Sequence, residues 1–237
     1  MKQALALLVS AALLFGCSQG SKMQEVGKGN DVNMGSIKEI QLITEDGIRL
    51  KATVYEADGP GVILLHMLNR DRHDWNDFAS QLQSLGYQVI AVDLRGHGES
   101  DLNWNDFSPK EFNEMVLDAK AAEEYLGKDV AVIGASIGAN IALNVASDGA
   151  VKAAILMSPG LEYRGVKIEG GIERLDKPVL IIAAEGDSYA AESSRKLHSL
   201  NSNAELRTYN GDEHGTWLFG KTDVDQVMIQ WLKEHLG

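Results

Sequence analysis

The fold is decided by the stretch Val130-Ala131-Val132-Ile133-Gly134-Ala135-Ser136-Ile137-Gly138. Its first four residues form a short apolar run that is typical of a strand buried on both faces of a parallel sheet. The residues that follow predict a helix over Ile137–Ala146, so Ser136 occupies a tight turn between strand and helix. Glycine two positions away on either side completes the G-x-S-x-G pattern of a nucleophile elbow. The same residues also fit a glycine-rich turn with an incidental serine, or a phosphate-binding turn.

Alternating apolar and helical stretches extend this unit into a whole domain. Around Asp46-Gly47, a strong hairpin signal, Ile37–Thr44 and Ile48–Glu56 alternate as antiparallel strands. Further strands are predicted at Val62–Leu65, Val89–Val92, Val130–Ile133, Ala153–Met157, Val179–Ala184 and Ala204–Tyr209. Helices are predicted at Trp75–Leu85, Pro109–Leu126, Ile137–Ala146, Tyr189–Leu200 and Thr222–Leu236. The fold class is therefore α/β: a doubly wound, mostly parallel sheet with an N-terminal antiparallel hairpin and helices on both faces.

A serine becomes a strong nucleophile only beside a base, and one of the six histidines is expected to be that base. His214 lies in the polar, glycine-flanked loop Gly211–Gly215, between the last strand and the last helix. Loops at the carboxyl ends of parallel strands are where such sheets build their sites. His198 and His235 lie in predicted helices and fit solvated surface positions. His214 is therefore the candidate base.

The base in turn needs an acid that orients it. Asp187 comes just after the carboxyl end of a predicted strand and is the favoured candidate. Glu185 is a rival, but it lies nearer the strand and is expected to point elsewhere. Asp212 and Glu213 are also rivals, although they lie too close in sequence to His214 to orient it easily.

The order of Ser136, Asp187 and His214 along the chain resembles the α/β-hydrolase superfamily, and the resemblance covers nearly all of Ser36–Gly237. In size, and in lacking a full lid, the chain is similar to dienelactone hydrolases. The resemblance implies a serine esterase with these three residues as its catalytic triad and with no cofactor or metal.

Two further stretches carry the resemblance. Asp93–Ser100 resembles the D-x-R-G-H-G-x-S loop of the superfamily, and Leu64–His66 stands where its members carry a His-Gly motif leading to the oxyanion hole. The implied oxyanion donors are the backbone N–H groups of Ile137, directly after the nucleophile, and of Met67. Met67 replaces the usual glycine, and its side chain narrows the floor of the site. The histidines of both stretches fit buried, hydrogen-bonded positions better than a proton-transfer role.

The length of the segment Ser158–Lys177 limits the class of substrate, because the segment has room for a loop and one short helix but not for a full lid. An open site favours small or soluble carboxylic esters. The candidates for an acyl pocket are Leu161, Tyr163, Val166, Ile168, Trp217, Leu218 and Phe219. Trp217 and Phe219 fit a core beneath the last helix equally well. The same triad would also serve a thioesterase or a peptidase, and a catalytically inactive binding or scaffold protein is the alternative from another class.

The N-terminus predicts export and a lipid anchor. Met1–Gly16 joins Lys2 to an apolar run that fits a signal peptide and is too short to span a bilayer comfortably. Leu14–Cys17 resembles the lipobox of bacterial lipoproteins, which implies lipidation of Cys17 and attachment to a membrane of the bacterial cell envelope, the outer membrane where there are two. Residues 17–35 are expected to be a flexible tether and residues 36–237 the hydrolase domain. An ordinary cleaved signal or an uncleaved anchor is the alternative.

The composition excludes several classes of function. The 237 residues include 22 Lys+Arg and 34 Asp+Glu, which gives a net charge of −12 and disfavours nucleic acid as a partner. A single cysteine cannot form an intramolecular disulfide or a multi-cysteine metal site. Motifs for metals and dinucleotides are also missing from the sequence, so the expected partners are a small ester substrate and, through Cys17, a membrane.

Overall fold

The eight predicted strands assemble into one mixed sheet. A computed structural model describes residues 35–127, 129–148 and 151–236. The strands of the sheet are β1 (Ile37–Ile43), β2 (Arg49–Tyr55), β3 (Gly61–Leu65), β4 (Gln88–Val92), β5 (Val130–Ala135), β6 (Ala153–Met157), β9 (Val179–Ala184) and β10 (Glu205–Tyr209). Two short strands, β7 (Glu162–Tyr163) and β8 (Val166–Lys167), form a separate hairpin.

The sheet order is β1-β2-β4-β3-β5-β6-β9-β10. Strands β1 and β2 are antiparallel to each other, and β2 is antiparallel to β4, whereas all other neighbours pair in parallel. The predicted fold class is thereby confirmed, including the N-terminal hairpin at one edge. The carboxyl ends of β3, β5, β6, β9 and β10 consequently lie along one edge of the sheet.

Helices cover both faces of the sheet. They are α1 (Asn76–Ser84), α2 (Pro109–Leu126), α3 (Ile137–Ser147), α4 (Glu169–Ile172), α5 (Ser188–Leu200) and α6 (Val224–His235). On one face the core includes α2, α3 and the side chains of Ile63 and Val132, and on the other it includes α1, α6 and the side chains of Val62 and Ile133. Neighbouring strand residues therefore serve opposite cores, which explains why the strand runs are continuously apolar.

The main differences from the predicted elements lie at helix starts and in the segment after β6. The first helix begins at Asn76 because Arg72–Trp75 forms a 3-10 turn, in which the Asp71 side chain accepts a hydrogen bond from the His73 amide. The segment Ser158–Lys177 holds the β7–β8 hairpin as well as the short helix α4. The hairpin turn uses two residues with positive φ, Arg164 at 53° and Gly165 at 88°, as two-residue hairpin turns require.

The D-x-R-G-H-G-x-S loop forms a buried polar network behind the sheet edge. Asp93 accepts hydrogen bonds from the backbone N–H groups of Arg72 at 2.7 Å and Glu99 at 2.8 Å. Arg95, which is 1% exposed, donates from Nε to Asp118 at 2.8 Å. Buried charges persist in proteins when they are paired in this way. The charged residues of the loop are thus accounted for by their own hydrogen bonds.

His97 is held neutral inside this loop, and its titration should be visible in the stability of the fold. Its ring centroid lies 5.0 Å from that of His66 and 5.7 Å from that of Trp104, and burial lowers its pKa from 6.5 to about 4. Below pH 6.5 the His97 imidazole binds a proton in the unfolded chain but stays neutral in the folded one. The free energy of unfolding should therefore fall as the pH drops towards 4. A shift of this size corresponds to about 3 kcal/mol.

Urea unfolding of the wild type and of His97→Phe between pH 7.5 and 4.5 measures this contribution. We expect the variant to lose less stability than the wild type on acidification, because phenylalanine keeps the ring stack and cannot titrate. Parallel pH profiles for the two proteins would show that His97 contributes nothing to acid sensitivity.

The predictions for the N-terminus concern residues outside those described. The signal peptide Met1–Gly16, the lipidated Cys17 and nearly all of the tether belong to this part of the chain. Within residues 35–127, 129–148 and 151–236, no helix is long and apolar enough to cross a membrane.

Candidate active site

The sheet brings four predicted site residues to one edge. Ser136 directly follows β5, while Met67, Asp187 and His214 lie in the loops after β3, β9 and β10. These four strands run in parallel, so the loops after them emerge on the same side. The fold thus places all four residues along the carboxyl edge, where sites in open α/β sheets form.

Ser136 occupies a strained turn that its neighbouring glycines make possible. Its backbone has φ 55° and ψ −121°, and its amide donates to the Met157 carbonyl at 2.8 Å. A Cβ on Gly134 would lie 2.0 Å from the Gly138 carbonyl oxygen, and a Cβ on Gly138 would lie 2.4 Å from the Leu65 oxygen. Both contacts are far inside van der Waals distance, so only glycine fits at either position. The strain at Ser136 is of the kind that proteins keep at functional sites.

His214 and Asp187 form a close pair. His214 Nδ1 lies 2.6 Å from Asp187 Oδ2, and the two side chains are 26% and 16% exposed. Because a carboxylate accepts, Nδ1 carries the proton and Nε2 keeps a free lone pair. Asp187 sits at the N-cap of α5, yet its side chain makes no capping bond there and binds His214 instead.

None of the three rival acids forms a side-chain hydrogen bond or ion pair with His214 in the described part of the chain. Glu185 pairs with Arg195, and Glu213 pairs with Lys221 at 2.9 Å. Asp212 is exposed to solvent. Asp187 is therefore the carboxylate that orients His214.

The loop that carries His214 is fixed by Ser158. The amide of Gly215 donates to Ser158 Oγ at 2.9 Å, and Ser158 is buried with φ 49°. Strand pairing sets Ala135 opposite Met157, so Ser136 and Ser158 occupy matching positions after neighbouring strands. Nothing in the sequence marked Ser158, because a single serine after a strand carries no signal of the loop it will hold.

Ser136 and His214 lie on the same edge of the sheet, but the structure shows no hydrogen bond between their side chains. Tyr163 lies beside the base: its ring centroid is 6.3 Å from that of His214, and its hydroxyl donates to the Ser158 carbonyl at 3.3 Å. Catalytic hydrogen bonds are often long or misaligned without substrate and tighten in the complex. Tyr163 thus borders the candidate base and is bonded to the backbone that follows β6.

The backbone around Met67 is held in place by His66. The amide of Leu94 donates to His66 Nε2 at 3.0 Å, so His66 Nδ1 carries the proton and donates to the Met67 carbonyl at 2.7 Å. Burial lowers the pKa of His66 and keeps it neutral. Gly138, in the first turn of α3, packs closely against the Leu65 carbonyl at the end of β3. The loop that carries Met67 therefore lies beside the start of the helix at Ile137.

Five of the seven proposed acyl-pocket residues, all except Leu161 and Tyr163, divide into three groups. Val166, Ile168 and Leu218 are buried in the core, so they do not line an open pocket, and their assignment to one was wrong. Phe219 stacks on Phe78 at 5.2 Å and serves the core beneath the last helix. Trp217 is 55% exposed and lines, with Asp74 and Phe78, a polar cavity of about 570 Å³.

No cluster of three or more metal-ligating side chains of His, Cys, Asp or Glu occurs in the described part of the chain. The side chains gathered at the carboxyl edge are a hydroxyl, an imidazole, a carboxylate and a phenol. This set can attack a carbonyl carbon and move protons by itself.

Comparison with known proteins agrees with this architecture. A family model described as alpha/beta hydrolase fold matches residues 60–169. No curated protein matches the chain significantly. Among solved structures, an esterase of Pyrococcus furiosus is 20% identical, with 85% of this chain and 92% of that chain covered and a TM-score of 0.73.

Two further solved structures are similar to this chain. Est1E of Butyrivibrio proteoclasticus, solved with ferulic acid bound, is 19% identical, with 83% of this chain and 98% of that chain covered and a TM-score of 0.71. An esterase of Exiguobacterium antarcticum is 15% identical, with coverage of 81% and 98% and a TM-score of 0.68. Identities this low establish the shared fold, and the chemistry must be argued from the site.

Proposed function

We propose that this chain, which has the α/β hydrolase fold, is a serine hydrolase that cleaves carboxylic esters through Ser136, His214 and Asp187. The observation that carries the proposal is the His214–Asp187 pair at 2.6 Å, formed on the same sheet edge as the strained Ser136. A charged orienting group on Nδ1 leaves Nε2 as the proton acceptor for a nucleophile.

The steps follow from these positions. Ser136 Oγ attacks the ester carbonyl while His214 Nε2 takes its proton, and Asp187 stabilises the resulting imidazolium. The backbone N–H groups of Ile137 and Met67 are the donors for the oxyanion. His214 then returns the proton to the departing alcohol, and water repeats the sequence on the acyl-enzyme.

The short segment after β6 supports small or soluble substrates. It contributes only the β7–β8 hairpin and the four-residue helix α4, so no long helical cover is available from it. The similar solved structures include esterases, which supports an ester substrate, although their low identity supplies no acyl specificity.

Hydrolysis of a p-nitrophenyl ester series, of matched acyl thioesters and of aminoacyl arylamides tests the bond that is cleaved. We expect the highest kcat/KM on short acyl esters. A clear preference for thioesters or arylamides would transfer the same triad to a thioesterase or a peptidase. A folded protein inactive on all three classes would favour the binding or scaffold role.

We also propose that the enzyme acts at a bacterial envelope membrane to which lipidated Cys17 anchors it. The support is the lipobox-like run Leu14–Cys17 after the signal-like Met1–Gly16. Several acyl chains on one cysteine bind a bilayer far more firmly than a single chain. Membrane fractionation of the wild type and of Cys17→Ser tests this, and an equal distribution of the two proteins would contradict it.

A further inference from the structure

The β7–β8 hairpin places its turn beside the reacting groups. The Asn140 side chain, four residues after the nucleophile, donates from Nδ2 to the Val166 carbonyl at 2.9 Å. On the other strand of the hairpin, the Tyr163 ring meets the ring of His214 edge to face, with the centroids 6.3 Å apart. Arg164, the next residue, is therefore at the tip of a hairpin that is bonded to the helix after the nucleophile and borders the base.

The side chain of Arg164 contacts the oxyanion side of the site through a row of rings. Its Cζ lies 6.0 Å from the centroid of the Trp104 ring, in the segment after β4. Trp104 stacks on His97 at 5.7 Å, and the His97 ring lies 5.0 Å from that of His66, which directly precedes Met67. The guanidinium thus lies between the base, on one side of the hairpin turn, and the rings that lead to the proposed oxyanion donor.

Arg164 has no carboxylate partner, unlike the cations around it. The cations of the loops after β3, β4 and β10 are all paired: Arg70 with Asp74, Arg72 with Asp93, Arg95 with Asp118, and Lys221 with Glu213. Arg164 is exposed and makes no ion pair or hydrogen bond with any residue in the part of the chain that the structure describes. In a chain of net charge −12, an arginine left unpaired beside the site is available to bind an anion.

The position of Arg164 is fixed by its neighbours in the turn. Asn113 of α2 donates from Nδ2 to the Gly165 carbonyl at 3.2 Å, and a Cβ on Gly165 would lie 2.6 Å from Pro109. Arg164 itself has φ 53°, a conformation in which asparagine and glycine are the usual residues. Backbone strain of this kind is concentrated at sites that bind ligands or react. An arginine at this position therefore indicates a use for its side chain.

We propose that Arg164 is a specificity-determining residue, whose guanidinium binds a carboxylate at the far end of the acyl chain. The preferred substrates are then half-esters of dicarboxylic acids. The inference rests on the proposed function, because it names the acyl group that Ser136 would receive. A guanidinium donates two parallel hydrogen bonds to a carboxylate, and one guanidinium matches the single charge of that group. With the ester carbonyl at Ser136 and the carboxylate on Arg164, the acyl chain lies along the hairpin, past the ring of Tyr163.

Hydrolysis of monoethyl and diethyl esters of the linear dicarboxylic acids from succinate to suberate tests the role. We expect the wild type to prefer the half-ester at the chain length that spans the two contacts. In Arg164→Asn, kcat/KM on that half-ester should fall about ten- to a hundred-fold, the range for lost hydrogen bonds between charged groups. On the neutral diethyl ester kcat/KM should stay within about twofold. Asparagine accepts positive φ more readily than arginine, so the turn should persist.

Lys167→Gln is the matched control. It removes the same charge from the other strand of the same hairpin, where the Lys167 ammonium pairs with Glu162 at 3.5 Å. Its kcat/KM should stay within about twofold of the wild type on both esters. An equal loss on the half-ester in both variants would overturn the inference and assign the effect to net charge.

Two other results would also overturn the inference. One is a wild type that prefers the diethyl ester at every chain length. The other is an Arg164→Asn variant that keeps the wild-type ratio of the two kcat/KM values, which would include an equal loss on both esters through a displaced hairpin. In either case hydrolysis of the diethyl ester by the wild type leaves the proposed function standing. A folded wild type that cleaves neither ester would contradict both, so the two failures are distinguishable.

Discussion

Ser136→Ala should lower kcat for ester hydrolysis by about 10⁶-fold, the scale on which removal of a nucleophilic serine acts in comparable triads. The expectation follows from the turn itself. Ser136 is held at φ 55° between two glycines that no larger residue can replace, on the sheet edge that also carries the His214–Asp187 pair. Alanine at this position removes the attacking oxygen and leaves the backbone conformation to be maintained by the same neighbours.

Ser147→Ala provides the control for this substitution. Ser147 is the last residue of α3, the helix that follows Ser136. Its hydroxyl donates to the Leu143 carbonyl at 2.8 Å, away from the sheet edge. Its activity should match that of the wild type. Comparable rates for Ser136→Ala and the wild type would mean that another group attacks the ester, or that the chain serves as a scaffold.

Asp187→Asn should lower kcat by about 10⁴-fold while leaving the fold intact. The carboxylate accepts the Nδ1 proton of His214 across 2.6 Å. An amide can turn its N–H₂ group towards Nδ1, which favours the tautomer with the proton on Nε2. In that tautomer the base cannot take a proton from Ser136, so the chemical step is lost although every side chain is in position.

Glu185→Gln is the matched control, two residues away in the same loop. Glu185 pairs with Arg195 and has no contact with His214, so kcat should stay within about twofold of the wild type. Comparison of the pH profiles of kcat for the two variants separates orientation of the base from a general loss of charge. A larger loss in Glu185→Gln than in Asp187→Asn would reverse the assignment of the acid.

Most of the fold follows from local signals in the sequence. The run Val130–Ile133 is typical of a strand buried on both faces, and the two glycines around Ser136 indicate a turn too crowded for side chains. Signals of this kind are local, which is why the sheet and the helix after Ser136 were predictable. Asp187 and His214 were harder, because their contact depends on how two loops 27 residues apart converge at the sheet edge.

The wall of the site was not predictable for a related reason. Strands β7 and β8 have two residues each, too few for an alternating pattern, and Arg164 at the turn is not a typical residue for positive φ. Tyr163 was therefore one apolar candidate among several. Its position beside His214 depends on Asn140 and Tyr189, which are hydrogen-bonded to the hairpin. It also depends on Gly160, where a Cβ would lie 2.7 Å from the Tyr163 ring. Apolar side chains such as Val166 and Ile168 look the same in the sequence whether they line a pocket or a core.

The most direct test of the central claim is covalent labelling of the folded protein with a fluorophosphonate, followed by peptide mass spectrometry. The reagent needs an activated serine, so it reports the nucleophile without assuming a substrate. We predict a single labelled serine at Ser136 in the wild type and none in Ser136→Ala. A folded wild type that remains unlabelled, or that is labelled at another serine, would contradict the account.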